Sequence, residues 1–119
     1  MTITIDAKKN LISYLKGDSP TSPSHIAIGT DDTAANETDT SLVADVGRYA
    51  IASADKISTG NFIDFKVTLS TAQGNGNTIK EIGLFNAATN GTMFGRAVSS
   101  GLDKDSSFSV EIIFTVVID

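Results

Sequence analysis

The chain has 119 residues, of which 40% are hydrophobic and 19% are charged. This length suits one domain with a hydrophobic core of its own. The chain contains no cysteine, which excludes disulfides, cysteine zinc sites and a thiolate nucleophile. Its 14 acidic and 9 basic residues give a formal net charge of −5. Because nucleic-acid-binding proteins usually present a cationic stripe, we expect no nucleic-acid partner.

The first residues predict a short arm of a strand and a helix over residues 1–17. Asp6 is the predicted N-cap, since its carboxylate can accept the free N–H groups of the first turn. Residues 18–23 are rich in Pro and Ser and predict a linker, which leaves residues 24–119 for a β-domain. The apolar positions that recur at helical spacing are Ala7, Leu11, Tyr14 and Leu15.

The remainder of the chain alternates between short apolar segments and turn-rich segments. Each gap is too short for a crossover helix, so the strands are predicted to be antiparallel. The sequence therefore predicts a mainly β protein, an antiparallel β-sandwich of six to seven strands with one short N-terminal α-helix. The predicted strands are His25–Gly29, Arg48–Ile57, Phe62–Leu69, Thr78–Asn86, Gly91–Ser99 and Ser107–Ile118, with residues 2–5 as a further candidate.

Two of these strands, Thr78–Asn86 and Gly91–Ser99, are separated by a four-residue loop and predict a β-hairpin. If Asn86 lies opposite Gly91, then Glu81 lies opposite Arg96 and forms a cross-strand ion pair. We expect this pair to be exposed and to contribute ~0.2–1 kcal/mol. The same register lays the ring of Phe94 across Gly83 and predicts a core face made of Ile82, Leu84, Met93 and Ala97.

The last predicted strand, Ser107–Ile118, is apolar on both faces towards its end. One row is apolar throughout, and the opposite row becomes apolar at Ile113 and Val117. A strand of this kind lies either in a covered sheet or partly at a subunit interface. The candidate interface residues are Ile113, Val117, Phe85 and Phe94.

Residues that could carry catalysis or bind metal are few. His25 is the only histidine, and we favour a structural or solvated role over membership of a Ser-His-Asp triad. Asp31-Asp32 and Asp103-Lys104-Asp105 lack the order of a calcium-binding loop. We therefore expect no catalytic residue, no metal and no cofactor, and a protein that is not an enzyme.

Four segments in order carry a family resemblance. They are His25–Thr30, Leu42–Arg48, Ile79–Asn86 and Gly91–Ala97, and Lys104 and the final alternating strand follow them. Together they resemble a small β-domain found in virion proteins of tailed phages and related archaeal viruses, in particular tail-collar fibre and baseplate-associated proteins. The sequences EIGLFN and GTMFGR within the last two segments are its most specific parts.

This resemblance implies a particle component without enzymatic activity or cofactor, located in the virion after synthesis in the host cytoplasm. It implies a homo-oligomer, a trimer or higher ring, that docks onto other virion proteins. In fibre proteins a shaft and a receptor-binding tip follow such a domain, and none follows here, so we expect a tail, baseplate or tail-fibre adaptor. The alternatives are a capsid decoration or turret protein and a glycan-binding β-sandwich. With no apolar run near the ~20 residues of a spanning helix, we expect no membrane insertion.

Overall fold

The structure is a computed structural model that describes residues 2–118. Met1, the first residue of the predicted arm, and Asp119, the last residue of the predicted β-domain, lie outside the described residues. The elements are β1 (Thr2–Ile3), α1 (Ile5–Leu15), β2 (His25–Gly29), β3 (Asp45–Ala50), β4 (Lys56–Thr59), β5 (Phe62–Leu69), β6 (Asn77–Phe85), β7 (Met93–Lys104) and β8 (Val110–Val117), with a 3₁₀ turn at Ser53–Asp55.

The strands form two antiparallel sheets. One has five strands in the order β1-β7-β6-β2-β3, and the other has three in the order β4-β5-β8. The predicted fold class, mainly β and antiparallel with one N-terminal helix, is confirmed. Eight strands are described rather than six or seven, because the predicted strand Arg48–Ile57 is divided by the 3₁₀ turn into β3 and β4.

The main core lies between the two sheets. Strict alternation along β5 and β8 turns every second side chain towards the five-stranded sheet, as the sequence pattern predicts. At the centre Leu69 and Ile28 are fully buried. The buried members of this core are Ile26, Ile28, Ile51, Phe65, Val67, Leu69, Ile79, Leu84, Ile112 and Phe114.

The five-stranded sheet also buries part of its other face. A smaller apolar cluster lies there, formed by Ala27, Leu42, Phe85 and Met93. The predicted position of Met93 on the main core face is wrong. The β6–β7 ladder is irregular after Leu84, where Phe85 pairs with Met93, so that Phe94 is unpaired. This bulge turns Phe94 towards the main core and Met93 to the opposite face.

The register between β6 and β7 differs from the predicted one by two residues. Arg96 lies opposite Gly83, and Glu81 lies opposite Val98. Because side chains alternate with a period of two, a shift of two residues keeps each of them on the same face of the sheet. Glu81 and Arg96 are therefore diagonal neighbours on one face instead of directly opposed residues.

The N-cap of helix α1 lies two residues before the predicted one. The hydroxyl oxygen of Thr4, not the carboxylate of Asp6, accepts the N–H of Ala7 at 3.1 Å. Thr4 is fully buried and its own N–H donates to the carbonyl of Phe94 at 3.0 Å. Of the predicted apolar stripe only Ala7 is buried, and Leu15 is 81% exposed. Within residues 2–118, no helix combines the length and apolar character needed to cross a bilayer.

Because Leu69 is buried and Leu15 is exposed, alanine substitution should destabilise the protein at the first position and not at the second. Leu69→Ala removes methyl groups from the centre of the main core and should lower the free energy of unfolding by about 2–5 kcal/mol. Leu15→Ala, at the exposed end of α1, should change it by less than about 0.5 kcal/mol. Urea unfolding of both variants checks this, and equal effects would contradict the position of the core.

Candidate functional site: a buried ion pair that holds a surface loop

The carboxylate of Glu81 lies beneath the segment between β2 and β3, residues 30–44, called here the covering loop. Glu81 is fully buried. Its Oε1 accepts the N–H of Val43 at 2.9 Å, and its Oε2 accepts those of Ala44 at 2.8 Å and Asp31 at 3.2 Å. One carboxylate thus satisfies backbone donors at both ends of the covering loop.

Arg96 completes the arrangement from the neighbouring strand. Its Nε donates to Glu81 Oε1 at 2.9 Å, and its Nη1 donates to the carbonyl of Thr33 at 2.8 Å. Nη1 also lies 3.5 Å from the Asp39 carboxylate, and Nη2 lies 3.9 Å from that of Asp31. The structure brings the predicted pair together, but the expected exposure is wrong, because the covering loop leaves Arg96 only 1% exposed.

Gly29 provides the room for the carboxylate. A Cβ atom at this position would lie 2.5 Å from Glu81 Oε2 and 2.7 Å from the carbonyl oxygen of Ala44. Both distances are far below ordinary contact, so a side chain here would displace the carboxylate or the end of the covering loop. The last residue of β2 must therefore be glycine for the pair to be buried.

The covering loop is also attached to the N-terminal arm. The N–H of Ile5 donates to the carbonyl of Glu37 at 2.7 Å. The ammonium of Lys8 lies 3.2 Å from the Glu37 carboxylate. The base of the loop is closed by a hydrogen bond of 3.1 Å from Thr30 N–H to the carbonyl of Ala44. The Glu81–Arg96 pair, the covering loop and α1 therefore form one connected structure.

Asp31 is half-exposed at the rim of this structure, and its surroundings favour the ionised form. Hydrogen bonds from the hydroxyl and from the backbone N–H of Thr33 lower the pKa of Asp31 below its ordinary value of 3.8, and the charges of Arg96 and Lys80 act in the same direction. Partial burial opposes this shift. Asp31 therefore contributes a negative charge beside Arg96 at neutral pH.

The contacts of the buried pair are structural ones. Both Glu81 oxygens accept hydrogen bonds from donors of the same chain.

The residues that the sequence offered for catalysis or metal binding are not brought together. His25 contacts the hydroxyl of its neighbour Ser24 at 2.8 Å, and among the described residues no carboxylate is hydrogen-bonded to it. Within residues 2–118, no group of three or more His, Asp or Glu side chains is arranged to hold a metal ion.

The four candidate interface residues have different surroundings. Ile113 and Val117 are 54% and 47% exposed on the outer face of the three-stranded sheet. Phe85 is buried, so its assignment to an interface is wrong: the covering loop shields it and the guanidinium of Arg48 lies 3.6 Å from its ring centre. Phe94 is half-buried against the main core, where it lines an apolar cavity of about 220 Å³ beneath α1.

Two basic residues with structural roles were not identified from the sequence. Arg48 donates through Nη1 to the carbonyls of Ala87 at 3.0 Å and Asn90 at 2.8 Å, and so fastens the β6–β7 turn. Lys104 is buried, and its ammonium donates to the carbonyl of Asp105 at 2.8 Å. Strand β7 extends as far as Lys104. Both Arg48 and Lys104 lie in the part of the sequence that carries the family resemblance, which is the signal that could have indicated them.

Comparisons with known proteins add no family assignment. No family model matches the chain, and no curated protein matches it significantly. The fold, the buried pair and the exposed surfaces are therefore the observations on which a functional proposal must rest.

Removing one member of the buried pair should destabilise the protein strongly. Glu81→Gln removes the one fully buried counter-charge of Arg96 and places an amide NH₂ against backbone N–H groups, so the free energy of unfolding should fall by about 3–5 kcal/mol. Arg96→Met should have a similar effect, and the double variant should lose less than the sum. Urea unfolding of all three variants measures this coupling.

The exposed pair of Lys16 and Asp18, 3.4 Å apart, provides the control. Lys16→Met should cost less than about 1 kcal/mol, because solvent screens this pair. A Glu81→Gln effect no larger than that of Lys16→Met would show that the buried pair does not hold the covering loop.

The lowered pKa of Asp31 gives an acid dependence of defined sign. Its stabilising contribution is present above the ordinary value of 3.8 and is lost as the pH falls through the folded-state pKa. Asp31→Asn and Thr33→Val should both flatten the fall of Tm with decreasing pH, whereas Thr40→Val, an exposed threonine of the same loop, should not. Thermal unfolding over the acid range measures the slope, and unchanged slopes in both test variants would contradict the assignment.

Proposed function

We propose that this protein is a non-enzymatic structural component of a virus particle that associates with copies of itself and docks onto other particle proteins. The best-supported role is that of a tail, baseplate or tail-fibre adaptor. The observation that carries the proposal is the amount of apolar side chain that the chain leaves exposed outside its two buried clusters.

The segments with the family resemblance support a structural role. His25–Thr30 contains β2, Ile79–Asn86 forms most of β6, and Gly91–Ala97 contains the start of β7. These three strands are neighbours in the five-stranded sheet. The fourth segment, Leu42–Arg48, contains two of the three residues whose N–H groups bind Glu81. The resemblance therefore falls on residues that build the sheet and fasten the covering loop.

The exposed apolar residues support docking. Isolated apolar residues are normal on a protein surface, but neighbouring ones mark contact sites. The end of α1 and the outer face of the three-stranded sheet carry most of them, including Phe62 opposite Val117 in the β5–β8 ladder. The residues concerned are Leu11, Ile12, Tyr14 and Leu15 on α1 and Ile57, Phe62, Ile113, Val117 and Ile118 on or beside the three-stranded sheet.

Virus particles purified on a density gradient from the source of this sequence provide the test. We expect the chain to co-purify with the particles, and gold-labelled antibodies against it to bind at the tail end. Label spread over the head would instead identify a capsid decoration protein. A chain that is produced but absent from the particles would overturn the proposal.

A pair of variants tests docking through α1. Leu15→Glu places a charge on the exposed apolar end of the helix and should reduce incorporation into particles when the tagged variant is supplied in trans. Lys9→Glu changes an exposed residue of the same helix outside the apolar set and should be incorporated like the unmodified chain. Incorporation of Leu15→Glu at the control level would remove α1 from the docking surface.

A further inference from the structure

Strand β8 has one open edge. Within residues 2–118 it pairs only with β5. The N–H of Ile118 donates to the carbonyl of Asn61 at 2.9 Å, which sets the phase of that ladder. Since N–H and C=O groups turn to alternate sides along an antiparallel strand, every second residue of β8 directs its backbone groups to the open edge. These residues are Glu111, Ile113, Thr115 and Val117.

The other open edges carry features that discourage strand pairing. β4 has only four residues and begins with Lys56. β3 contains Arg48 and has an irregular register beside Gly29. β1 has only two residues, and β7, beyond its short pairing with β1, passes through Gly101 at a φ of 115°. β8 has none of these features: it pairs regularly over eight residues and its one charge is that of Glu111.

An apolar groove lies beside this edge. Its volume is about 240 Å³, and side chains of β6, β7 and β8 line it, among them Ile82, Leu102 and Ile113. The groove therefore lies between the five-stranded sheet, which contains β6 and β7, and the edge strand β8 of the three-stranded sheet. A strand added to the edge of β8 would cover it.

We propose that the open edge of β8 pairs antiparallel with β8 of a second copy of this chain, about a two-fold axis at Ile113. The two three-stranded sheets then form one continuous sheet, and the two grooves face each other across the axis. This inference rests on the proposed self-association and names its contact surface. A two-fold contact brings the same residues together from both copies, so the Ile113 side chains meet.

The charges on this strand do not oppose a second copy in this register. Glu111 lies opposite Thr115 of the second copy, which is uncharged and whose hydroxyl donates to Asp64 of its own chain. The two Glu111 side chains are offset by four residues, or about 13 Å along the strand. This distance exceeds the ~8 Å over which exposed charges act at physiological salt. The net charge of −5 therefore places no direct repulsion at the contact.

The size of the contact sets its strength. An eight-residue strand is about 26 Å long, and stacked sheets lie about 10 Å apart. The open side of the sandwich therefore presents on the order of 260 Å² between the sheets, against ~800 Å² per partner in a standard stable interface. We expect a weak dimer whose population rises with protein concentration.

Charge exchange at the axis tests the pairing. In sedimentation equilibrium over a wide concentration range, the unmodified chain should dimerise. Ile113→Lys and Ile113→Glu should each dimerise about tenfold more weakly, because like charges then meet at the axis. An equal mixture of the two variants should regain association, since Lys from one copy now lies opposite Glu from the other.

The matched control is Ile57, which is also 54% exposed and lies on the other edge strand of the same sheet. Ile57→Lys and Ile57→Glu should dimerise like the unmodified chain. Thr115→Pro removes an N–H that faces the open edge, so it should block dimerisation while far-UV circular dichroism stays unchanged.

Three results would overturn the pairing. A trimer or ring unaffected by the Ile113 variants would leave self-association intact but exclude this contact. A mixture of the two Ile113 variants that associates no better than either alone would exclude the two-fold axis. A chain that is monomeric at every concentration would exclude self-association itself, whereas particle labelling tests the virion role independently.

Discussion

The structure depends on a carboxylate buried where water cannot solvate it. Removing a carboxylate from water costs several kcal/mol unless charge and hydrogen bonds replace the solvent. Glu81 receives three backbone N–H groups and the Arg96 guanidinium. Three of these donors lie in the covering loop, residues 30–44, so burial of the charge and placement of the loop occur together. The loop in turn covers Phe85 and Met93, which gives the five-stranded sheet a second buried face.

Because the covering loop lies on only one of the two sheets, the sheets differ in how much of their outer faces is buried. Structureless segments as long as the covering loop are uncommon in compact domains unless something fixes them, and here the fixing groups are side chains of β6 and β7. Around Ala27, Phe85 and Met93 the five-stranded sheet is thereby buried on its second face as well as on the face towards the main core. The three-stranded sheet buries only its inner face, and its outer face carries exposed Ile57, Phe62 and Ile113. The three-stranded sheet and the uncovered end of α1 are therefore where the exposed apolar side chains that motivate the proposed contacts are concentrated.

Period-two alternation accounts for what could be predicted from the sequence. It gives the limits of β5 and the inward row of β8, and it brings Glu81 to the same face as Arg96 although the register is displaced by two residues. It could not predict their burial, because that depends on a loop from a distant part of the chain. Local pattern also could not choose between Thr4 and Asp6 as the helix cap, since the position of Thr4 depends on the carbonyl of Phe94.

The exposure of Ile113 taken alone has little meaning, because β-branched residues favour strands whether or not a partner covers them. Its significance comes from coincidence with the open edge. The residues of β8 whose side chains point away from the core are the same residues whose backbone groups have no partner strand within residues 2–118. Threonine would satisfy the strand preference at this position without an apolar surface, and the sequence uses threonine freely elsewhere. An isoleucine beside unpaired backbone groups, on an edge without lysine, proline or a bulge, is what a strand-pairing contact requires.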